Sequence, residues 1–254
     1  MNIEEIIKVP YTTRPHMTRN DGEAFGKRPR DSVIREKQAM LSFYGEDLFG
    51  QTNYCLSDGI VAGVSKHLGF NETDSIVQLA LNLEEDVAIL HRGVLHAICF
   101  CFPSSWKPST GLNKTLTQLH EPVADGNHLR DASEKIAKTI SDPTLGGFRR
   151  YVWTINRVGR RCNHPTTVEH NNKFVPIAME NLYFRTETQT TLPMPHGSTA
   201  VFFVKVDVVP LEIVWRDHSE LILKSINTMS DTVLTYKNLH QVKDYLNNAS
   251  LVHR

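Results

Sequence analysis

Cysteine is scarce: a chain of 254 residues holds four, Cys55, Cys99, Cys101 and Cys162, with no CxxC spacing among them. That excludes a disulfide framework and gives no sign of a structural zinc. An excess of one charge is lacking too, because Lys plus Arg and Asp plus Glu both number 28. Such balance disfavours nucleic acid or an anionic membrane as the main ligand. No run approaches the ~18 apolar residues of a membrane span, and the amino terminus lacks a basic stretch followed by an apolar one. The sequence therefore reads as cytoplasmic, with neither membrane nor nucleic acid among its partners. GxGxxG, P-loop, GxSxG and HExxH patterns are all missing, which removes the strongest signals for nucleotide, acyl-transfer and zinc chemistry. Repeats, low-complexity tracts and Gly/Ser linkers are absent as well, so no internal domain boundary is marked.

What is present is an ordinary core-forming composition, 40% hydrophobic, enough for one large domain. Residues 1–30 are rich in Pro, Thr and Arg and read as an extended arm; residues 31–254 read as a single domain. Its first third is helical. "DSVIREKQAMLSFYG" has Asp31 or Ser32 as N-cap and Gly45 as stop, "LSDGIVAGVSKHLGF" closes at Gly69, and "NETDSIVQLALNLEEDV" sets Ile76, Leu79, Ala80 and Leu83 at helical spacing. The period then changes. "VAILHRGVLHAICFCFP" predicts two strands about a tight turn at Arg92 and Gly93. A short amphipathic helix with Leu112, Leu116, Leu119 and His120 runs into Pro122, which supplies no amide donor. "NHLRDASEKIAKTISD" predicts another helix. "RRYVWTINRVG", "ENLYFRTETQT" and "STAVFFVKVDVV" predict three strands, and the carboxyl-terminal segments from "PLEIVWRDHSEL" onward return to helix. Helices flanking about five mainly antiparallel strands make an α+β domain.

Several side chains invite a chemical reading, each beside a structural one. The twelve histidines are scattered rather than clustered. His120, one turn beyond Leu116, suits a core residue bonded to a carbonyl, a helix C-cap, or an axial ligand to a cofactor. Period two puts Arg185, Glu187 and Gln189 of "RTETQ" on one strand face. They could line a binding cavity or form a solvated face with cross-strand pairs. "RRYVWTINR" interleaves Arg149, Arg150 and Arg157 with Tyr151 and Trp153, which suits acidic groups beside a flat ring, or plain sheet packing. Cys99 and Cys101 of "CFC" read as small buried hydrophobes. Cys162 and His164 of "RRCNHP" fall in a loop without further ligands at metal spacing.

Taken in order, six segments resemble the haem-dependent oxidative N-demethylase family, whose haem subunit is similar to dimethylamine monooxygenase components. They are "VPYTTRPHMT", "CFPSSWKPSTGLNKTLTQLHEPV", "RYVW", "RTETQTTLPMP", "GSTAVFFVKV" and "TYKN", together spanning most of the chain. The resemblance implies a PAS-like antiparallel sheet flanked by helices, with helical extensions at both ends, holding haem b. It makes His120 the candidate axial ligand to iron, with Trp106, Arg150, Tyr151 and Trp153 around the cofactor. Glu187 becomes a distal acid/base or an anchor for a substrate ammonium, Arg185 its orienting partner or a propionate ligand, and Gln189 an orienting donor. The implied chemistry is O2-dependent oxidation of a small amine. A separate reductase would supply the electrons, since flavin, nicotinamide and iron–sulfur motifs are absent. Homo- and hetero-oligomers both fit. The rival reading is a non-catalytic haem-binding sensor or carrier, in which His91 or His96 provides a second axial ligand. Two departures concern the substrate: Val152 stands where the family pattern has asparagine, and Met194 and Pro195 take its Leu-Pro positions.

Overall fold

Strand pairing organises the computed structural model, which describes residues 2–26 and 29–252. One seven-stranded sheet has the order β1-β5-β6-β7-β3-β4-β2, every pairing antiparallel. The three long strands β5 (Phe148–Asn156), β6 (Tyr183–Pro193) and β7 (Thr199–Pro210) form its centre and one flank. Beyond β7 comes the expected hairpin, β3 (Asp86–His91) and β4 (Val94–Cys99). Its two-residue turn places Arg92 at φ 50° and Gly93 at φ 76°, the left-handed pair that matches strand twist. The short edges β1 (Thr18–Arg19) and β2 (Phe49–Gln51) were not legible in the sequence. The architecture is α+β, as expected.

The arm runs back over the domain, carrying a one-turn helix α1 (Ile3–Ile6) as well as β1. Four helices make up the helical first third: α2 (Asp31–Tyr44), α3 (Asn53–Ser57), α4 (Ile60–His67) and α5 (Ile76–Leu81). Arg30, not Asp31 or Ser32, occupies the N-cap of α2, with Asp31 in its first turn. There the carboxylate meets the positive end of the helix dipole. Two helices follow the hairpin, α6 (Leu116–Leu119) and α7 (Asn127–Ser141), and an unforeseen α8 (Pro165–Phe174) follows β5. The chain closes with α9 (Leu211–Asn227), α10 (Asp231–Lys237) and α11 (His240–Val252). No helix among the described residues is long and apolar enough to cross a membrane.

Cross-strand register sorts side chains onto two faces. On one face Trp153, Phe184, Phe203 and Ile89 pack into two apolar clusters with the amino- and carboxyl-terminal helices. Each such buried side chain contributes about 1.5–3 kcal/mol. The other face carries Arg150, Val152, Glu187, Gln189, Val204 and Ala88, and looks towards α6 and α7 across a cavity. A buried cation ties α2 to this sheet: Lys37 Nζ donates to the carbonyls of Ala80 and Leu83 at 2.9 Å and of Glu85 at 2.5 Å. It lies 3.9 Å from Asp86, whose carboxylate accepts from the backbone N–H of Cys101 (3.0 Å) and Phe102 (2.8 Å). The segment after β4 is thereby fixed where it crosses the sheet end.

Candidate functional site

The cavity encloses about 1260 Å³, more than the roughly 300–1,000 Å³ typical of small-molecule sites. Its apolar walls include Ile98 and Phe202 from the sheet, Leu116 and Leu119 from α6, and Leu129 and Ile140 from α7. Trp106 forms part of the wall and meets Phe100 edge-on at 6.1 Å between ring centroids.

His120 stands at the end of α6, which is shorter than the apolar pattern suggested. Thr115 and Gln118 form a capping box that starts the helix, and His120 is its C-cap. Its backbone N–H bonds to Leu116 O (3.2 Å) and Thr117 O (3.1 Å). Gly111 allows this helix to sit close: a Cβ there would lie 2.9 Å from Leu119 Cδ2 and 3.0 Å from Leu95 Cδ2. The imidazole borders the cavity, and its Nδ1 is buried without a hydrogen-bond partner among the described residues. Burial, then the nearby Arg150 charge, lower its pKa from 6.5 to about 4, with the Leu116 backbone pulling weakly the other way. The ring is therefore neutral, the form that ligates metals.

Arg185, Glu187 and Gln189 do share the cavity face of β6. Arg185 Nη1 donates to Glu187 Oε1 at 2.5 Å, and Gln189 Nε2 donates to Glu187 Oε2 at 2.8 Å. Arg185 is held from behind by the carbonyl of Phe102, 2.8 Å from Nη2. Burial alone would raise the Glu187 pKa, but Arg185, assisted by Gln189, holds it below the usual carboxylate range. This makes Glu187 a fixed anion on the cavity wall.

The aromatic pair is placed differently. Arg150 pairs with Gln189 on the cavity face, whereas the neighbouring Tyr151 and Trp153 alternate to the opposite one. Trp153 stacks on Phe184 at 5.7 Å and meets Tyr11 edge-on at 6.4 Å. Both aromatics border the cavity, but they do not stand beside Glu187. His91 and His96 point elsewhere: His91 Nδ1 bonds Thr199 Oγ1 at 2.8 Å, and His96 Nδ1 bonds Thr52 Oγ1 at 2.9 Å. Neither borders the large cavity. Cys99 and Cys101 are buried, their sulfurs 3.9 Å apart. His164 caps α8 and bonds Asp47 Oδ2 at 3.2 Å, and no group of three potential ligands among the described residues is arranged for a metal ion.

Among the ionisable cavity residues that escaped the residue-by-residue reading are Lys237 and Tyr11. Lys237, at the end of α10, donates to the Trp153 carbonyl at 2.9 Å, beyond the reach of β1, and its Nζ lies 5.7 Å from the Tyr11 ring centroid. Burial lowers its pKa to about 8, against the opposing pull of Glu187. Burial pushes Tyr11 up to about 12, with Arg150 opposing. "TYKN" and "VPYTT" both lay in matched segments, which was the only signal for either residue.

Five buried side-chain polar atoms have no hydrogen-bond partner among the described residues: His120 Nδ1, Arg150 Nε, Asn156 Nδ2, Asn163 Oδ1 and Arg185 Nε. All five residues border this one cavity. Unpaired buried polar groups cost about 1–3 kcal/mol each, so their convergence marks a place shaped for a ligand. The donor set, a neutral imidazole and cationic groups around apolar walls, fits a flat macrocycle carrying a metal and acidic substituents.

A sequence-family model described as haem-dependent oxidative N-demethylase, alpha subunit-like, matches residues 52–247. No curated protein matches the chain. The matched span includes β3 to β7, His120 and Lys237, and begins after the arm, α2 and β2.

Proposed function

The chain belongs to the haem-dependent oxidative N-demethylase alpha-subunit-like family, and we propose that its cavity holds haem b and serves O2-dependent oxidation of the N-methyl group of a small amine. The observation that carries this reading is the gathering of all five unpartnered buried polar atoms on one cavity, with a neutral histidine among them. The single antiparallel sheet, flanked by helices on both faces with a cavity between one face and α6 and α7, supports a PAS-like description.

His120 would hold the iron, and Arg150 would meet a propionate, relieving its buried Nε. Trp106 and the leucines of α6 would pack on the macrocycle. When bound, the haem supplies the redox centre at which O2 is used. The chain's own residues do the rest. Glu187, kept anionic by Arg185, anchors and orients the substrate ammonium. Gln189 holds the second carboxylate oxygen and so fixes the orientation of Glu187. Apolar walls exclude water, which strengthens the attraction between Glu187 and a cation. Overall, a methylamine, O2, two electrons and two protons give the demethylated amine, formaldehyde and water; a separate reductase donates the electrons.

The placement of His91 and His96 away from the cavity favours this reading over a sensor in which either closes the sixth coordination position. An absorbance spectrum of the purified protein with haem should show a Soret band that His120→Ala abolishes or shifts. An unchanged spectrum in that variant overturns the ligation. Amine-dependent O2 uptake with a chemical reductant tests the reaction, and its absence across a panel of methylamines overturns the monooxygenase reading.

A further inference from the structure

Away from the Arg150–Gln189 rung the cavity has a second polar end. Arg185 lies four residues along β6 from Gln189, about 13 Å at strand rise. Arg185 pairs across the sheet with Thr154, and Asn156 sits two residues further on the same face. Asn163 comes from the segment before α8. Its backbone N–H donates to Pro103 O at 3.0 Å, the same carbonyl that Arg185 Nη2 approaches at 3.5 Å. Arg185 and Asn163 thus stand side by side, only 1% and 3% exposed.

Three of the unpartnered atoms belong to this end: Arg185 Nε, Asn156 Nδ2 and Asn163 Oδ1. Asn156 Oδ1 accepts from Val158 N at 3.2 Å, which fixes its amide with Nδ2 as the free donor. Two committed donors, one of them cationic, call for an oxygen acceptor. The Asn163 amide can turn its NH2 to the same acceptor, since Nδ2 and Oδ1 differ only by a flip. The charge balance selects an anion over a neutral carbonyl. Arg150, Arg157, Arg185 and Lys237 are cations bordering the cavity, Arg157 and Arg185 buried, and Glu187 is a carboxylate already bonded to Arg185.

Both Glu187 oxygens retain acceptor capacity beyond Arg185 and Gln189. An anion dock and a cation dock therefore lie next to each other, bridged by the 2.5 Å contact between Arg185 and Glu187. The geometry points to a compact zwitterion as the substrate class: an N-methylated amino acid, its carboxylate on Arg185, Asn156 and Asn163 and its ammonium on Glu187. This rests on the demethylase reading for the N-methyl group; the carboxylate dock stands on the two unpartnered donors, Arg185 Nε and Asn156 Nδ2, with the Asn163 amide turned to present its NH2.

Calorimetric titration of the purified protein with N-methylglycine, its methyl ester and dimethylamine tests it. N-methylglycine should bind at least about tenfold more tightly than the other two, since they lack the charged acceptor. Asn156→Asp keeps the bond to Val158 and turns the free donor into an anion, so it should erase that preference. Asn163→Leu, which introduces no charge, should weaken N-methylglycine selectively. Equal affinities for acid and ester, no binding of any of the three, or a preference that survives both substitutions overturns the inference. A Soret band without the preference leaves the haem reading standing and removes the zwitterion. A preference without any Soret band does the reverse.

Discussion

Replacing His120 by glutamine should flatten the acid limb of the protein's stability curve. In the folded chain the imidazole pKa falls from 6.5 to about 4, chiefly through burial and then through Arg150. A depressed value means that the unfolded chain binds the proton more readily, so stability is full above pH 6.5 and falls as pH drops towards 4. The whole shift corresponds to about 3 kcal/mol, and about 2.5 kcal/mol of it is lost by pH 4.5. That is a large share of the roughly 5–15 kcal/mol that holds a domain folded. Urea denaturation of haem-free protein at pH 7 and pH 4.5 measures the loss in each form. His120→Gln keeps a similar neutral volume but cannot titrate, so its loss should be smaller than the wild type's by about 2 kcal/mol. Equal losses would show that His120 is not a desolvated neutral base, and would remove the electrostatic support for metal ligation with it.

Glu187→Gln keeps an oxygen for Arg185 but leaves a buried guanidinium without its anion; stability should fall by about 3 kcal/mol. Turnover should fall by at least ~100-fold with the haem spectrum retained, and steady-state rates beside the absorbance spectrum check this. Lys37→Met leaves three carbonyls and Asp86 without their cation and should cost about 3–5 kcal/mol in urea denaturation; a loss below ~1 kcal/mol would be inconsistent with the network described. Gly111→Ala drives a methyl group against Leu119 and Leu95. It should cost about 1–3 kcal/mol and move the Soret band by displacing α6, while far-ultraviolet dichroism stays unchanged.

Where a local rule decided the structure, the sequence revealed it. Arg92-Gly93 could only make a tight hairpin turn, and period two alone grouped Arg185, Glu187 and Gln189. Helix α8 was missed because none of its residues is buried, so no apolar stripe marks its period. The short β2 owes its pairing to β4, not to its own three residues. Lys237 reaches the site through a bond to Trp153, 84 positions away, and Asn163 through Pro103, 60 positions away. Nothing local to either residue signals such contacts. Tyr151 and Trp153 illustrate the opposite limit: composition suggested that they stand with Arg150, but alternation forces consecutive strand residues to opposite faces.

The same register explains why Val152 matters among the departures from the family pattern. Val152 is the direct cross-strand partner of Glu187 on the cavity face, a position where opposed side chains lie within about 5.5 Å at Cβ. Asparagine there could donate to Glu187 and compete with a bound ammonium; valine cannot. Glu187 is thus left with Arg185 and Gln189 as its side-chain hydrogen-bond donors among the described residues, and the side turned to Val152 is apolar. An apolar neighbour also raises the cost of leaving the carboxylate uncompensated, which strengthens the selection for a cationic group. On the proposed reading, valine here would act on what the site binds, while the backbone pairing that carries the site does not depend on that side chain.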